Sequence, residues 1–138
     1  MAFKFSKLSE ARLQGVKPQL VSVVRRALEI SQVDFMVTEG LRTIARQREL
    51  YAQGRTKPGP KVTWTLHSKH LEGNAVDLAP VIDGKVDWSN TKNFDAIAKA
   101  MTQASRELGV PIRWGADWDM DGIPREKGES DSPHFELA

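Results

Sequence analysis

The stretch AVDLAPVIDGKVDW, residues 75–88, constrains the fold of this chain more than any other. Two apolar runs meet at Asp83 and Gly84, a dipeptide suited to the tight turn whose twist matches paired strands, so the segment predicts a β-hairpin. Strands that pair through so short a connection are antiparallel and need no crossover helix between them.

Elsewhere the periodicity is helical. In KPQLVSVVRRALEIS the apolar residues Leu20, Val23, Val24, Ala27 and Leu28 recur at one face of a helix that starts near Pro18. In TKNFDAIAKAMTQASRELG the same spacing joins Phe94, Ile97, Ala98, Met101, Ala104 and Leu108, with Asn90 as cap and Gly109 as stop. DFMVTEGLRT predicts a short strand from Phe35 to Thr38 broken by Gly40, and helical character resumes through TIARQRELYAQG to Gly54, so Arg42 falls at a strand-to-helix junction. RTKPGPKVTWTLHSKH has no sustained period and is expected to be a surface loop that delivers the chain to His70. VPIRW and the terminal HFELA are short and β-like. Mixed helices and strands without a βαβ rhythm predict an α+β class, a small, mostly antiparallel sheet packed with helices.

A chain of 138 residues with 40% hydrophobic content is the size of one domain, 1–138, with a core that needs no disulfide staples. There is no cysteine, so thiolate metal sites are excluded and any zinc must be held by nitrogen and oxygen. No apolar run reaches the length of a signal peptide or a membrane span, which predicts a chain made in the cytoplasm without stable membrane association. The 20 basic and 18 acidic residues are mixed, and a basic cluster appears only between Arg46 and Arg55, which argues against a nucleic-acid partner.

The chain has three histidines, His67, His70 and His134. A lone histidine is more often structural than a ligand. His70 and Asp77, however, flank a Glu-Gly-Asn turn that can fold the chain back and bring both side chains together. His134 starts the terminal strand, where alternation turns His134 and Glu136 to one face and Phe135 and Leu137 to the other. Two histidines and a carboxylate make a catalytic zinc set that leaves a position open to water. Asp131 precedes His134 by three residues and is either a carboxylate within reach of that water or a turn-forming residue of SDSPH. In DWDMDG, Asp117, Asp119 and Asp121 alternate before Gly122 like the first half of a calcium loop. The closing glutamate of such a loop is replaced by Gly128, so the segment is a calcium site or a plain acidic turn.

SKHLEGNAVDLAP together with DSPHFEL resembles the Ser-x-His-x6-Asp and Asp/Glu-x-x-His pattern of the zinc D-Ala-D-Ala peptidases, a family that includes VanX-type dipeptidases and shares its fold with the hedgehog signalling domain. The whole chain, through FKFSKLSE, VKPQL, GLRT, GKVDW and GADWD, is similar to single-domain L-alanyl-D-glutamate peptidases that serve as endolysins of tailed phages. The resemblance implies the hedgehog/DD-peptidase fold and one catalytic domain without a separate wall-binding domain. It implies zinc on His70, Asp77 and His134, Asp131 as general base, Arg42 beside the scissile carbonyl, and Ser68 against the substrate. His67 has no place in the pattern. The implied activity is hydrolysis of the L-Ala to D-Glu bond of peptidoglycan stem peptides by a monomer that accumulates in the host cytoplasm and reaches the wall after a holin opens the membrane. Two other readings stay open on the residues, a D,D-carboxypeptidase or dipeptidase with the same metal set, and a non-catalytic zinc-containing module that binds wall peptides.

Overall fold

The computed structural model describes residues 3–42, 44–56, 59, 73–116 and 132–138. In chain order its elements are α1 (Lys7–Leu13), α2 (Pro18–Ile30), β1 (Phe35–Glu39), α3 (Ile44–Ala52), β2 (Ala75–Ile82), β3 (Lys85–Val86), α4 (Thr91–Leu108), β4 (Ile112–Trp114) and β5 (His134–Leu137).

The locally signalled elements form where the sequence places them. Asp83 and Gly84 both take positive φ, 53° and 79°, as a hairpin turn of this kind requires, and Val81 and Ile82 pair with Val86 and Lys85 across it. The side chain of Asn90 accepts a hydrogen bond from the amide of Lys92 at the start of α4, and the helix stops at Gly109. Pro18 opens α2, where its missing N–H has no helical partner to lose. The strand expected to end at Thr38 runs on to Glu39, and the next helix occupies Ile44–Ala52 within the expected 43–54.

Helix α1 was not among the expected elements. Ser6 caps it by accepting from the amide of Ser9. The residues it buries are Ser9 and Leu13, while Leu8 remains about half exposed. Ser9 is buried because its Oγ accepts from the amide of Val37 at 3.1 Å, and Arg12 Nη1 donates to the Val37 carbonyl at 3.0 Å. Two side-chain bonds to one residue of β1 thus fasten α1 to the sheet.

All strand pairs are antiparallel, in the order β1-β2-β5-β4, with β3 attached to β2. The last strand in sequence therefore lies inside the sheet. Phe35, Val37, Val76, Leu78 and Phe135 form one face, packed with the buried stripes of α2 (Leu20, Val23, Val24, Ala27) and α4 (Ile97, Met101, Ala104) into a continuous core. Trp114 and Phe135 stack with ring centroids 6.2 Å apart, and the Trp114 indole N–H donates to the Ser132 carbonyl. With one face committed to the core, alternation leaves the other face for polar side chains.

Candidate active site

Asp77 lies between Val76 and Leu78, both fully buried in the core, so its own side chain points to the opposite face of β2. On β5, His134 and Glu136 alternate with Phe135 and Leu137 in the same way. The register sets Asp77 directly across from His134, and Ala75 across from Glu136. On the other side of β2, the pairing with β1 shifts between Val37 and Glu39, so that Glu39 becomes the partner of Asp77. That bulge matters because strict alternation would send Glu39 to the core face with Phe35 and Val37. Thr38, at the shift, donates its hydroxyl to the Asp77 carbonyl at 3.2 Å. The result is a row across three strands, Glu39, Asp77 and His134. A second row lies one pleat along, with Ala75, Glu136 and Arg113 in register.

Within the first row Asp77 Oδ1 is 3.2 Å from His134 Nδ1, and between the two rows His134 Nε2 is 2.9 Å from Glu136 Oε1. The His134 and Glu136 side chains are buried, whereas that of Asp77 keeps 22% of its surface exposed. A nitrogen and an oxygen bound to one tetrahedral zinc at ordinary bond lengths stand about 3.3 Å apart. The Asp77–His134 separation matches that edge, and the donors are an imidazole and a carboxylate, so the pair fits two positions of a zinc set. Among the described residues no three such side chains form a complete metal cluster. His70, the third ligand expected from the sequence, lies outside the described residues.

Arg42 follows β1 at the junction expected for it and is held in place. Its Nε and one Nη donate to the two carboxylate oxygens of Glu39 at 2.6 and 2.7 Å, and the other Nη donates to Gln47 Oε1 at 2.6 Å. Gln47 is fully buried on α3. A planar guanidinium gripped by a carboxylate fork has little freedom to move. Because Glu39 is the register partner of Asp77, this grip joins Arg42 to the row that carries Asp77 and His134.

The structure therefore brings together Asp77, His134 and, through Glu39, Arg42. Ser68, His67, His70 and Asp131 lie outside the described residues, as do Asp117, Asp119 and Asp121 of the expected calcium loop. Glu39, Gln47 and Glu136 were not singled out from the sequence for any role. Glu39 and Arg42 stand at an i, i+3 spacing that could have suggested a pair, while the buried glutamine gave no signal at all. Glu136 was expected on the face of His134, but the bond between them was not.

The chain as a whole is similar to known proteins in sequence and fold. A family model described as phage L-alanyl-D-glutamate peptidase matches residues 1–138. The L-alanyl-D-glutamate peptidase of Escherichia phage T5 is 44% identical over 143 residues, covering 100% of both chains. The peptidoglycan L-alanyl-D-glutamate endopeptidase CwlK of Bacillus subtilis (strain 168) is 31% identical over 132 residues, covering 91% of this chain and 73% of that one. Among solved structures, the Serratia marcescens L-Ala D-Glu endopeptidase ChiX superposes with a TM-score of 0.80 at 39% identity, over 99% of this chain and 91% of that chain. The vancomycin-resistance D,D-dipeptidase VanXYg superposes with a TM-score of 0.54 at 19% identity, over 88% of this chain and 50% of that chain. This last likeness is one of fold, an α+β architecture with helices against an antiparallel sheet.

Proposed function

The chain belongs to the phage L-alanyl-D-glutamate peptidase family, and from that premise we propose that it is a zinc-dependent endopeptidase that hydrolyses the L-Ala to D-Glu bond of peptidoglycan stem peptides. Beside the family match, the observation that carries the metal part of this reading is the cross-strand pair of Asp77 and His134, whose 3.2 Å separation suits two ligands of one ion. His70 would supply the third ligand. When bound, zinc would polarise the scissile carbonyl and acidify a water molecule.

The chain's own residues have the remaining tasks. Asp131 accepts the proton of the attacking water and returns it to the departing amine of D-Glu, the double duty of a carboxylate general base. Arg42, pinned by Glu39 and Gln47, places fixed positive charge where the carbonyl oxygen becomes negative. A donor that is already in position costs no reorganisation when the charge develops. Ser68 would help hold the substrate. In this reading residues 1–138 act as one catalytic domain that works as a monomer. As a lysis enzyme it would be made in the host cytoplasm and reach the wall once a holin opens the membrane. No helix among the described residues is long and apolar enough to cross a membrane. Calcium at Asp117, Asp119 and Asp121 rests on the sequence pattern alone, and a calcium titration of the melting temperature of zinc-loaded protein tests it.

The test of the activity is mass spectrometry of purified stem peptides digested with zinc-loaded protein, with Asp131→Ala as control. Release of L-Ala from the rest of the peptide, lost in the variant, supports the reading. Loss of terminal D-Ala would assign the D,D-carboxypeptidase reaction instead, and no cleavage under any metal condition would leave a wall-binding module.

A further inference from the structure

Both ring nitrogens of His134 face a carboxylate, and the two contacts differ in length and in burial. Nδ1 is 3.2 Å from Asp77, which is partly open to solvent, and Nε2 is 2.9 Å from Glu136, which is buried with only 6% of its surface exposed. Both distances lie within hydrogen-bond range, the shorter being the stronger contact, and the longer one also matches the spacing of two ligands around one ion. A buried imidazole that donates from Nε2 to a carboxylate has its lone pair on Nδ1, because the neutral ring carries one proton.

We propose that Glu136 is a positioning residue. It accepts the Nε2 proton of His134, fixes the tautomer and the plane of the ring, and aims Nδ1 at the metal position shared with Asp77. The proposal rests on the zinc reading of the Asp77–His134 pair. Its geometry is built into β5, because residues two apart on a strand share a face and Glu136 reaches the neighbouring imidazole along it. The sheet also supplies a reason for a carboxylate at this position. Arg113 on β4 is the register partner of Glu136, and its Nε is buried without a hydrogen-bond partner among the described residues. A cation on the adjoining strand favours an anion at residue 136 over a neutral side chain. Glu136 is thereby assigned to the support of the ligand and not to the ion, and its greater burial fits that division.

The experiment needs no variant to begin. Long-range proton–nitrogen NMR of the metal-free protein reports which nitrogen of His134 carries the proton, and titration with zinc reports which nitrogen the metal shifts. The proposal expects the proton on Nε2 and the zinc-induced shift on Nδ1. Zinc shifting Nε2 would overturn it by placing Glu136 on the metal side. Should zinc shift neither nitrogen while the proton sits on Nε2, the zinc reading itself fails and the proposal falls with it, distinguishably from the previous case. Glu136→Ala and Glu136→Gln then measure the effect by chelator competition. Loss of the carboxylate in Glu136→Ala should weaken zinc binding about 10–100-fold, the usual scale for removing the partner of a ligating histidine. Glu136→Gln, whose amide oxygen still accepts from Nε2, should retain most of the affinity and the Nε2 tautomer. Wild-type zinc affinity in Glu136→Ala would refute the role.

Discussion

Asp77 and His134 are direct partners across neighbouring antiparallel strands, with Oδ1 and Nδ1 3.2 Å apart. Their backbones are held by ladder pairing and their neighbours Val76 and Phe135 by the core, so the spacing of the two donors is set by the fold before any ion arrives. Asp77→Ala and His134→Ala should each weaken zinc binding by more than about 100-fold, since even losing the partner of a ligand costs 10–100-fold. Both side chains point away from the core, so far-ultraviolet circular dichroism of the metal-free variants should match the parent. Chelator competition beside the spectra checks both statements, and a variant that keeps parental zinc affinity would remove that residue from the ligand set.

Arg42 is expected to act through placement as much as charge. Arg42→Lys keeps the cation but cannot span both oxygens of Glu39 and the amide of Gln47 together. On the scale measured for single oxyanion donors, kcat should fall about 10²–10³-fold, with zinc affinity unchanged. Glu39→Gln should give a smaller loss in the same direction, because one amide oxygen still anchors the guanidinium. Steady-state kinetics on a synthetic L-Ala–D-Glu peptide separates the cases, and an active Arg42→Lys would show that position 42 supplies charge alone.

Stability should depend on pH through carboxylates outside the site. Hydrogen bonding to Arg25 lowers the pKa of Glu10, and hydrogen bonding to Arg26 lowers that of Glu107, both from 4.5. Ionised groups of this kind contribute stability above the unfolded value, and the contribution is lost as pH falls through the lower folded value. Both are exposed, so salt should weaken the effect. Asp34 has the opposite sign, because burial raises its pKa above 3.8. Its charged form is disfavoured in the folded state, so Asp34→Asn should raise the melting temperature at pH 7, with a gain that shrinks as pH falls through the raised folded value and vanishes below the unfolded value of 3.8. Thermal melts of parent and variant across pH 3–7 test the sign, and a variant that melts lower than the parent at pH 7 contradicts it.

What the sequence could show was whatever is signalled within a few residues. The Asp83–Gly84 turn and both ends of α4 follow from local chemistry, and they formed as expected. The alternation that put His134 opposite Phe135 was legible for the same reason. Helix α1 was not, because it exposes Leu8 and buries Ser9, inverting the apolar pattern, and Ser9 is buried only because its partner Val37 lies 28 residues away. The shift between Val37 and Glu39 arises from pairing with a strand nearly forty residues later, so the turning of Glu39 toward Asp77 had no local trace. The site was legible as residue types and spacing, while the contacts that steady those residues come from the sheet.

The approach of α1 to the end of β1 supplies the last prediction. A Cβ placed on Gly40 would lie 1.9 Å from the Arg12 carbonyl oxygen, a backbone atom that cannot swing aside. Arg12 is itself tied to Val37 through its guanidinium, so α1 cannot retreat without breaking that bond. Gly40→Ala must therefore displace either α1 or the segment that leads to Arg42. The strain of such overpacking is about 1–3 kcal/mol or more, which for a domain of this size lowers the melting temperature by roughly 3–10 °C. Any shift that reaches Arg42 should also lower kcat, while the Asp77–His134 pair on β2 and β5 keeps its spacing and its zinc affinity. Melting temperature, kcat and zinc affinity measured on the one variant separate the two displacements: a stability loss with normal kcat means α1 has moved, and losses of both mean that the arm carrying Arg42 has given way. A variant as stable and active as the parent would contradict the close packing of Gly40 on Arg12.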